Sequence, residues 1–205
     1  MDLSNPAAAV LGPNRAKVLH RLSLLADGMS GRALHALSGV KSLVTTQRTL
    51  EQLAAVGLVD VRPVGAANLY SLNREHVMWP PIEQLLAAGA AAEQRIAEVM
   101  ASTLGDDAAV LLYGSFARND AGPDSDIDLL VVWKDEIDEA HAAELLDEAV
   151  TRIERLTGNG AQIIAMTGAE LDGLIERRDP LIDSLREDAR SLTPDVRAAT
   201  LLGDR

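Results

Sequence analysis

Two short stretches carry the residues whose types and spacing could do chemistry. Asp126 and Asp128 lie one residue apart at the start of an apolar run that continues to Trp133. Side chains alternate between the two faces of a strand, so both carboxylates are expected on one face. Carboxylates this close repel each other unless a cation lies between them, and Mg²⁺ prefers such oxygen ligands. The pair therefore predicts a divalent metal site.

Gly114 and Ser115 predict the other half of such a site. They end an apolar strand and precede a short helix. Glycine allows the backbone to approach a ligand closely, and the N–H groups at the start of a helix attract phosphate. Together the two stretches predict a site for a metal ion and a phosphate group.

The elements around these residues predict an α/β (α+β) module with a small mixed sheet. Apolar periodicity and turn residues favour strands at 109–113, 126–133 and 162–166. They favour helices at 115–119, 136–156, 169–177 and 180–190. In the long helix we expect the following residues to face inward: Leu145, Leu146, Val150 and Ile153.

The first eighty residues have a different pattern, with three helices followed by a β-hairpin. The first helix starts near Asn14, Ser30 caps the second, and Gly39 ends it. The third helix runs from about Ser42 to Val56, and the hairpin covers 58–72. The inward positions of the third helix are predicted to be Val44, Leu50, Leu53 and Ala54. A single long helix over 82–102 then follows the Pro80-Pro81 break.

Composition separates the two parts further. Residues 1–80 carry eight Lys/Arg and five Asp/Glu, whereas residues 81–205 carry eleven and twenty-six, so the balances are +3 and −15. Any nucleic acid is expected to contact the first part, because the acidic part would repel phosphates. The chain has no cysteine and shows no signal-like or membrane-spanning segment. We therefore expect a soluble cytoplasmic protein without a membrane partner.

The run LEQLAAVGLVDVR…NLYSLN resembles the winged helix-turn-helix domains of bacterial regulators, over about residues 13–76. That resemblance implies that the third helix enters the major groove of double-stranded DNA. Arg and Gln can each form paired hydrogen bonds with base edges, and Arg62 in the wing could reach phosphate or the minor groove. The alternative is a dimerisation or scaffolding module. The expected oligomer is a homodimer that binds a two-fold DNA site. The candidate DNA contacts are Ser42, Thr45, Thr46, Arg48, Thr49, Gln52 and Arg62.

The segments GSFAR (114–118) and SDIDL (125–129) resemble the signature of the DNA polymerase β-like nucleotidyltransferases, most closely the minimal prokaryotic ones. The resemblance covers about residues 105–192. It implies that Gly114 and Ser115 bind the phosphates of a nucleoside triphosphate, and that Asp126 and Asp128 are catalytic ligands of Mg²⁺ or Mn²⁺. Arg118 would support phosphate charge; alternatively it forms a salt bridge with Asp124 or Asp126.

The sequence departs from this family where a third carboxylate is expected. Gln162 occupies that position, and a glutamine can neither act as a base nor bring negative charge to a cation. Glu170 is the nearest candidate substitute. Asn119 is a milder departure, because glycine is common there.

Three functional hypotheses follow. In the first, the chain is an active Mg²⁺-dependent nucleotidyltransferase that transfers a nucleoside monophosphate to a hydroxyl acceptor. In the second, it is a DNA-binding regulator that senses a nucleotide without chemistry. In the third, it is an antitoxin that modifies a partner toxin. The expected divisions are a flexible arm (1–12), a winged helix (13–79), a linker helix (80–104), a nucleotidyltransferase-like domain (105–192) and a tail (193–205).

Overall fold

The computed structural model describes residues 2–3, 5–122 and 124–193. The chain divides into two compact units. One unit is Asn5–Gly89, and the other contains the chain from Ala90 onward together with its first residues. The tail expected at 193–205 lies outside the described residues, apart from Thr193.

The unit Asn5–Gly89 contains helices and a small antiparallel sheet. The three strands lie in the order β1-β3-β2, and β2 and β3 form a hairpin in which Val59 pairs with Leu72. Leu19, Leu34 and Leu50 are almost completely buried in one core. The elements are α1 (Ala8–Leu11), α2 (Pro13–Ser23), β1 (Met29–Ser30), α3 (Gly31–Ser38), α4 (Leu43–Ala55), β2 (Val59–Val64), β3 (Ala67–Leu72) and α5 (Trp79–Leu86).

The predicted ends of α3 are confirmed. The Ser30 hydroxyl accepts a hydrogen bond from the N–H of Ala33 at 3.3 Å, which supplies a partner to an otherwise unpaired helix N–H group. At the other end Gly39 adopts a left-handed conformation with φ +67°. Glycine accepts that conformation without steric cost, so the helix ends there.

Two expectations about connecting segments are wrong. The predicted single helix over 82–102 is two helices, α5 and α6 (Ala88–Leu104), and α5 begins before the two prolines. Pro80 and Pro81 fit because the first turn of a helix needs no N–H donors. The segment 1–12, expected as an arm, contains α1, and Leu3 within it is buried.

The predicted faces of α4 are partly wrong. Val44 was expected inward but is 72% exposed, whereas Thr46 and Thr49 are buried. Their hydroxyls donate to the carbonyls of Ser42 and Thr45, one turn earlier. These hydrogen bonds satisfy the hydroxyl groups, so the small side chains can be buried at little cost.

The second unit is an α/β module with a four-stranded sheet in the order β6-β5-β4-β7. β5 and β6 are parallel and the other pairs are antiparallel, so the predicted mixed sheet is confirmed. The short strand β7 was not predicted. The elements after α6 are β4 (Ala108–Tyr113), α7 (Gly114–Ala117), β5 (Ile127–Trp133), α8 (Glu139–Thr157), β6 (Ala161–Thr167), α9 (Gly168–Glu176), α10 (Pro180–Asp188) and β7 (Arg190–Ser191).

Both faces of this sheet are covered. On one face Leu112 and Leu129 pack with Ile153 of α8, and Leu145 and Leu146 pack against the same core. On the other face Leu111 and Leu130 pack with residues of α9 and α10, including Leu171 and Leu185. No helix of the described residues combines the length and the apolar character needed to cross a membrane.

Candidate functional site

The carboxylate pair lies at the start of β5, on the face that α9 and α10 cover. Asp128 is the second residue of the strand and Asp126 immediately precedes it. Because side chains alternate, both share a face with Leu130, which packs in the core beneath α9 and α10. The prediction that the two carboxylates share one face therefore agrees with the strand register.

Two glycines make room for these carboxylates. A Cβ atom on Gly114 would lie 2.2 Å from Oδ2 of Asp128, and one on Gly160 would lie 2.6 Å from Oδ1 of Asp126. Gly114 also has φ +75°, a conformation that side-chain-bearing residues rarely adopt. Each carboxylate thus lies in space that the side chain of any other residue would occupy. Gly114 was predicted from the sequence, and Gly160 was not.

Gln162 lies beside the pair, on the neighbouring strand. It is the register partner of Asp128 in the parallel pairing of β5 and β6. Its side-chain Nε2 donates a hydrogen bond of 2.7 Å to Oδ2 of Asp126. The position predicted for a third carboxylate is therefore at the site, and a neutral amide occupies it and binds one of the two aspartates.

A buried asparagine, which sequence analysis missed, holds the loop before the pair. Asn159 is 5% exposed, and its Nδ2 donates to the carbonyl of Ser125 at 2.8 Å. The N–H of Ile127 donates to the carbonyl of Gly160 at 2.8 Å. These bonds fix the backbone on both sides of Asp126. An Asn-Gly pair directly before a strand is a local signal that could have suggested this role.

The electrostatics of the pair concentrate on Asp128. Burial raises the pKa of the Asp128 carboxyl above its usual value, and the negative charge of Asp126 raises it further. The positive charge of Arg118 opposes this rise, and Asp188 adds to it. The pKa of Tyr113, which pairs with Asp128 across β4 and β5, is also raised by burial and by Asp128. The site therefore disfavours further negative charge and would favour a cation.

Arg118 has different partners from those proposed on sequence grounds. The expected alternatives were Asp124 and Asp126, but the guanidinium donates to Asp188 through Nη1 and to Asp120 through Nε, the latter at 3.3 Å. Asp188 is the last residue of α10, seventy positions along the chain. Local spacing could not have indicated this partner.

The segment after Gly114 is shorter than a regular helix. α7 has only four residues, so its helix dipole is small and the expected attraction of phosphate to a helix start is weak. Asn119 just beyond it has φ +59°. Asparagine tolerates this left-handed region better than most residues, which explains how it can stand where glycine is common.

Glu170 does not replace the third carboxylate. Its carboxylate accepts hydrogen bonds from the N–H and the hydroxyl of Thr167, at 2.7 and 3.0 Å, in a capping box at the start of α9. These bonds hold the pKa of Glu170 below its ordinary value. Within the described part of the chain, no three His, Cys, Asp or Glu residues converge in a metal-binding group.

The geometry nevertheless fits a divalent cation held by two carboxylates. Asp126 and Asp128 share one face, and each has the close approach to a glycine described above. Their mutual repulsion contributes to the raised pKa of Asp128, and a cation would relieve that repulsion. Gln162 could offer its side-chain carbonyl, which is a neutral oxygen ligand.

The candidate DNA contacts fall into two groups. Thr46 and Thr49 are buried and cannot reach a base edge, which removes them from the set. Ser42, Arg48 and Gln52 are exposed, Thr45 is half-buried, and Arg62 is exposed on β2. Gln52 accepts a hydrogen bond from Arg15 at 3.2 Å, so its oxygen already has a partner.

An open groove of about 540 Å³ lies beside the exposed side of α4. Polar and charged residues that line it include Arg32, Gln47 and Asn68. Asn68 is in β3, so the groove runs between the helix and the hairpin. These three residues were not among the predicted DNA contacts, because the pattern of a single helix or hairpin does not show which residues line a groove between them.

Residues 93–178 match the family model of the nucleotidyltransferase domain. The matched segment contains α7, β5, β6 and every residue of the carboxylate site. The match supports a nucleotidyltransferase domain over these residues, as the sequence predicted for this part of the chain. No protein of curated function matches the sequence.

The fold also has distant likenesses among solved structures. A toxin–antitoxin complex with AMP-PNP is 13% identical over 53% of this chain and 80% of that one, with a TM-score of 0.37. The complex of the Shewanella oneidensis HEPN toxin with MNT antitoxin is 15% identical over 55% of this chain and 78% of that one, with a TM-score of 0.36. TrmBL2, an archaeal chromatin protein, is 17% identical over 85% of this chain and 69% of that one, with a TM-score of 0.28. These likenesses are too remote to assign a function.

Proposed function

We propose that the nucleotidyltransferase domain binds a nucleoside triphosphate with Mg²⁺ or Mn²⁺ and transfers a nucleoside monophosphate to a hydroxyl acceptor, with release of pyrophosphate. The observation that carries the proposal is the pair Asp126 and Asp128 on one face, closely packed against Gly114 and Gly160. The family match over residues 93–178 supports the same reaction class.

Each residue has a role in this proposal. Asp126 and Asp128 hold the cation, which when bound supplies positive charge to the triphosphate. Gly114 and Ser115 offer backbone N–H groups and a hydroxyl to the phosphates. Arg118 adds positive charge at the same end of the site. Positioning of the two reactants then does most of the catalysis.

Gln162 favours a second candidate, a nucleotide-sensing domain without turnover. An amide cannot accept the proton that leaves the attacking hydroxyl, so the proton must pass to the acceptor's own groups or to solvent. A site that binds nucleotide but transfers slowly or not at all is the outcome this substitution favours. The two candidates share the binding step and differ only in the chemical step.

The test separates binding from transfer. Each nucleoside triphosphate, radiolabelled in its α-phosphate, is incubated with the full chain and Mg²⁺ or Mn²⁺, together with protein, RNA or small-molecule acceptors. Asp126→Asn and Asp128→Asn are expected to abolish labelling and to weaken binding. Asp172→Asn is the control, because Asp172 is an exposed aspartate on α9.

Three results of this test lead to different conclusions. Labelling that depends on both aspartates supports the enzyme. Metal-dependent binding without labelling supports the sensor. Absence of binding for all four nucleotides overturns both candidates.

We also propose that residues 13–76 bind double-stranded DNA as a winged helix-turn-helix. The order of α2, α3, α4 and the β2–β3 hairpin supports this, as do the exposed Arg48 and Arg62 and the groove lined by Arg32. A dimerisation or scaffolding role is the alternative.

Replacement of Arg48 tests the DNA proposal. Arg48→Ala is expected to weaken binding to a selected sequence by about fivefold to a hundredfold, the range for loss of a base contact. Arg155→Ala is the matched control, because Arg155 is exposed but belongs to the acidic unit. An Arg48 variant that binds as tightly as the wild type would remove α4 from the proposed interface.

The antitoxin hypothesis stays a prediction about the acceptor. It requires that a toxin be the labelled protein and that labelling neutralise it. Co-expression with the product of a neighbouring gene, with the wild-type chain and with Asp128→Asn, tests it. Growth rescued only by the wild type would support it, and equal rescue by both would point to sequestration without transfer.

A further inference from the structure

A second ionic group lies at the carboxylate face, formed by Arg118, Asp120 and Asp188. The Arg118 guanidinium donates to both aspartates. Arg118 follows α7 directly, and α10, which ends at Asp188, packs on the sheet face that carries Asp126 and Asp128. The charges of Arg118 and Asp188 both act on the Asp128 carboxyl. The group therefore borders the proposed nucleotide site.

The two aspartates that bind Arg118 differ sharply in burial. The Asp188 side chain is 7% exposed, whereas that of Asp120 is 60% exposed. An exposed ion pair contributes little, because water solvates and screens both charges. A buried carboxylate is different, because removal of its partner leaves an uncompensated charge. Asp188 is therefore the aspartate that determines where Arg118 lies.

Among the described residues, Arg118 is the charged partner of the buried aspartate. Its Oδ1 is buried and accepts no hydrogen bond from the described residues, so Arg118 on Oδ2 is its one charged donor there. Arg190, two positions along the chain from Asp188, donates to Glu93 at 3.0 Å and to the carbonyl of Phe116. The cost of a buried charge thus ties Asp188 to Arg118.

This attachment leaves part of the guanidinium available. Arg118 uses Nε for Asp120 and Nη1 for Asp188, and Nη2 donates to none of the described residues. The Arg118 side chain is 45% exposed, so a ligand can reach it. A guanidinium carries N–H donors on all three nitrogens and binds phosphate oxygens well.

We propose that Asp188 is a positioning residue of the nucleotide site, which holds Arg118 so that its Nη2 N–H groups donate to the phosphates of a bound nucleoside triphosphate. This inference rests on the proposed function, because it requires a triphosphate at Asp126 and Asp128. It adds a residue from the end of α10, outside the segment that matches the nucleotidyltransferase family model. Asp120 has no equivalent role.

The experiment is a double-mutant cycle on the full chain. Binding of each α,β-methylene nucleoside triphosphate with Mg²⁺ is measured by calorimetry for the wild type, Asp188→Asn, Arg118→Gln and the double variant. Asparagine preserves the shape of Asp188 without its charge, and glutamine leaves a donor for it. Asp120→Asn is the matched control, because it removes the exposed partner of the same guanidinium. Thermal unfolding of every variant reports the fold.

Asp188→Asn is expected to weaken binding at least about threefold, and Asp120→Asn less than about twofold. In the Arg118→Gln background, Asp188→Asn should have no further effect. A merely structural role of Asp188 would instead weaken binding equally in both backgrounds, and that result overturns the inference. The inference is also overturned if the Asp188→Asn variant binds the nucleotide as tightly as the wild type while the Asp128→Asn variant does not. That result leaves the proposed function intact. A wild-type chain that binds no triphosphate overturns both.

Discussion

At the scale of single residues, Gln162 is the most informative position in the site. A conversion to aspartate would place a third carboxylate beside Asp126 and Asp128 and would remove the hydrogen bond from Nε2 to Asp126. Without a cation the three charges repel, so we expect Gln162→Asp to lower Tm in EDTA by about 2–4 °C, which corresponds to roughly 1 kcal/mol. Mg²⁺ should restore the loss, as scanning calorimetry can measure.

The matched control for that prediction is Gln162→Met. It keeps the length of the side chain and loses the hydrogen bond, so its Tm should lie below that of the wild type by a similar amount in EDTA and in Mg²⁺. If the aspartate variant also gains transfer activity, the missing carboxylate limits the chemical step. An aspartate variant whose Tm does not respond to Mg²⁺ would contradict a cation site at this pair.

Gly160 tests how tightly the site is built. A methyl group there would lie 2.6 Å from Oδ1 of Asp126, so the carboxylate must move. We expect Gly160→Ala to reduce the transfer rate, or metal-dependent nucleotide binding if there is no turnover, by on the order of tenfold to a hundredfold. The fold should persist in circular dichroism.

Gly173→Ala is a suitable control for Gly160→Ala. Its new methyl group would meet only the end of the flexible Arg177 side chain, at 3.4 Å, in the interior of α9. Alanine there should stabilise the helix by roughly 0.5–1 kcal/mol without effect on the site. Equal nucleotide affinity for Gly160→Ala and wild type would show that Asp126 can relocate freely.

At the scale of elements, the start of α9 is fixed by a capping box that also determines where β6 ends. Thr167→Ala removes the N-cap hydroxyl, and we expect the free energy of unfolding to fall by about 1 kcal/mol, or Tm by roughly 2–4 °C.

Glu170→Gln makes a second, pH-dependent test of the capping box. Because the pKa of Glu170 is lowered in the folded chain, its stabilisation is present above the unfolded pKa and disappears as the pH falls through the folded pKa.

The measurement is thermal unfolding as a function of pH for the wild type and Glu170→Gln. The two Tm curves should differ at neutral pH and converge in acid. A constant difference at every pH would mean that the glutamate acts through its shape or packing, and not through its charge. Asp172→Asn, on the same helix but outside the box, should follow the wild type throughout.

The sequence predicted the larger elements because each has a strong local pattern. The continuous apolar runs of β4 and β5 and the apolar stripe of α8 are readable without tertiary contacts. The short strands β1 and β7 have only two residues each and exist because longer strands offer them partners. The inward face of α4 was misassigned because Thr46 and Thr49 satisfy their hydroxyls within the helix, which a hydrophobicity pattern does not reveal.

The candidate site was predictable to a similar extent. Gly114, Asp126, Asp128 and Gln162 lie in short motifs or at a fixed distance from them, and the structure brings the last three together. The bond between Arg118 and Asp188 joins residues seventy positions apart. Such a pair depends on how α10 returns to the sheet, and no local pattern contains that information.

At the scale of the whole molecule, the two compact units carry opposite net charge. Residues 1–80 have a balance of +3 and residues 81–205 one of −15. A charge of +3 is modest for a DNA-binding unit, and the acidic part opposes association with phosphates. A homodimer would present two such units to DNA and so double the favourable charge. We therefore expect a homodimer, which light scattering coupled to size-exclusion chromatography can measure.

The sensor hypothesis, in which nucleotide binding changes DNA binding, has a quantitative test. If nucleotide with Mg²⁺ changes the affinity of the chain for DNA by some factor, linkage requires that DNA change the affinity for nucleotide by the same factor. We expect this factor to be about fivefold or more, measured by fluorescence anisotropy with labelled DNA and by calorimetry with an α,β-methylene nucleotide. Asp128→Asn should abolish it while DNA affinity without nucleotide stays unchanged. Equal DNA affinity with and without nucleotide, in a chain that binds both, would show that the two units act independently.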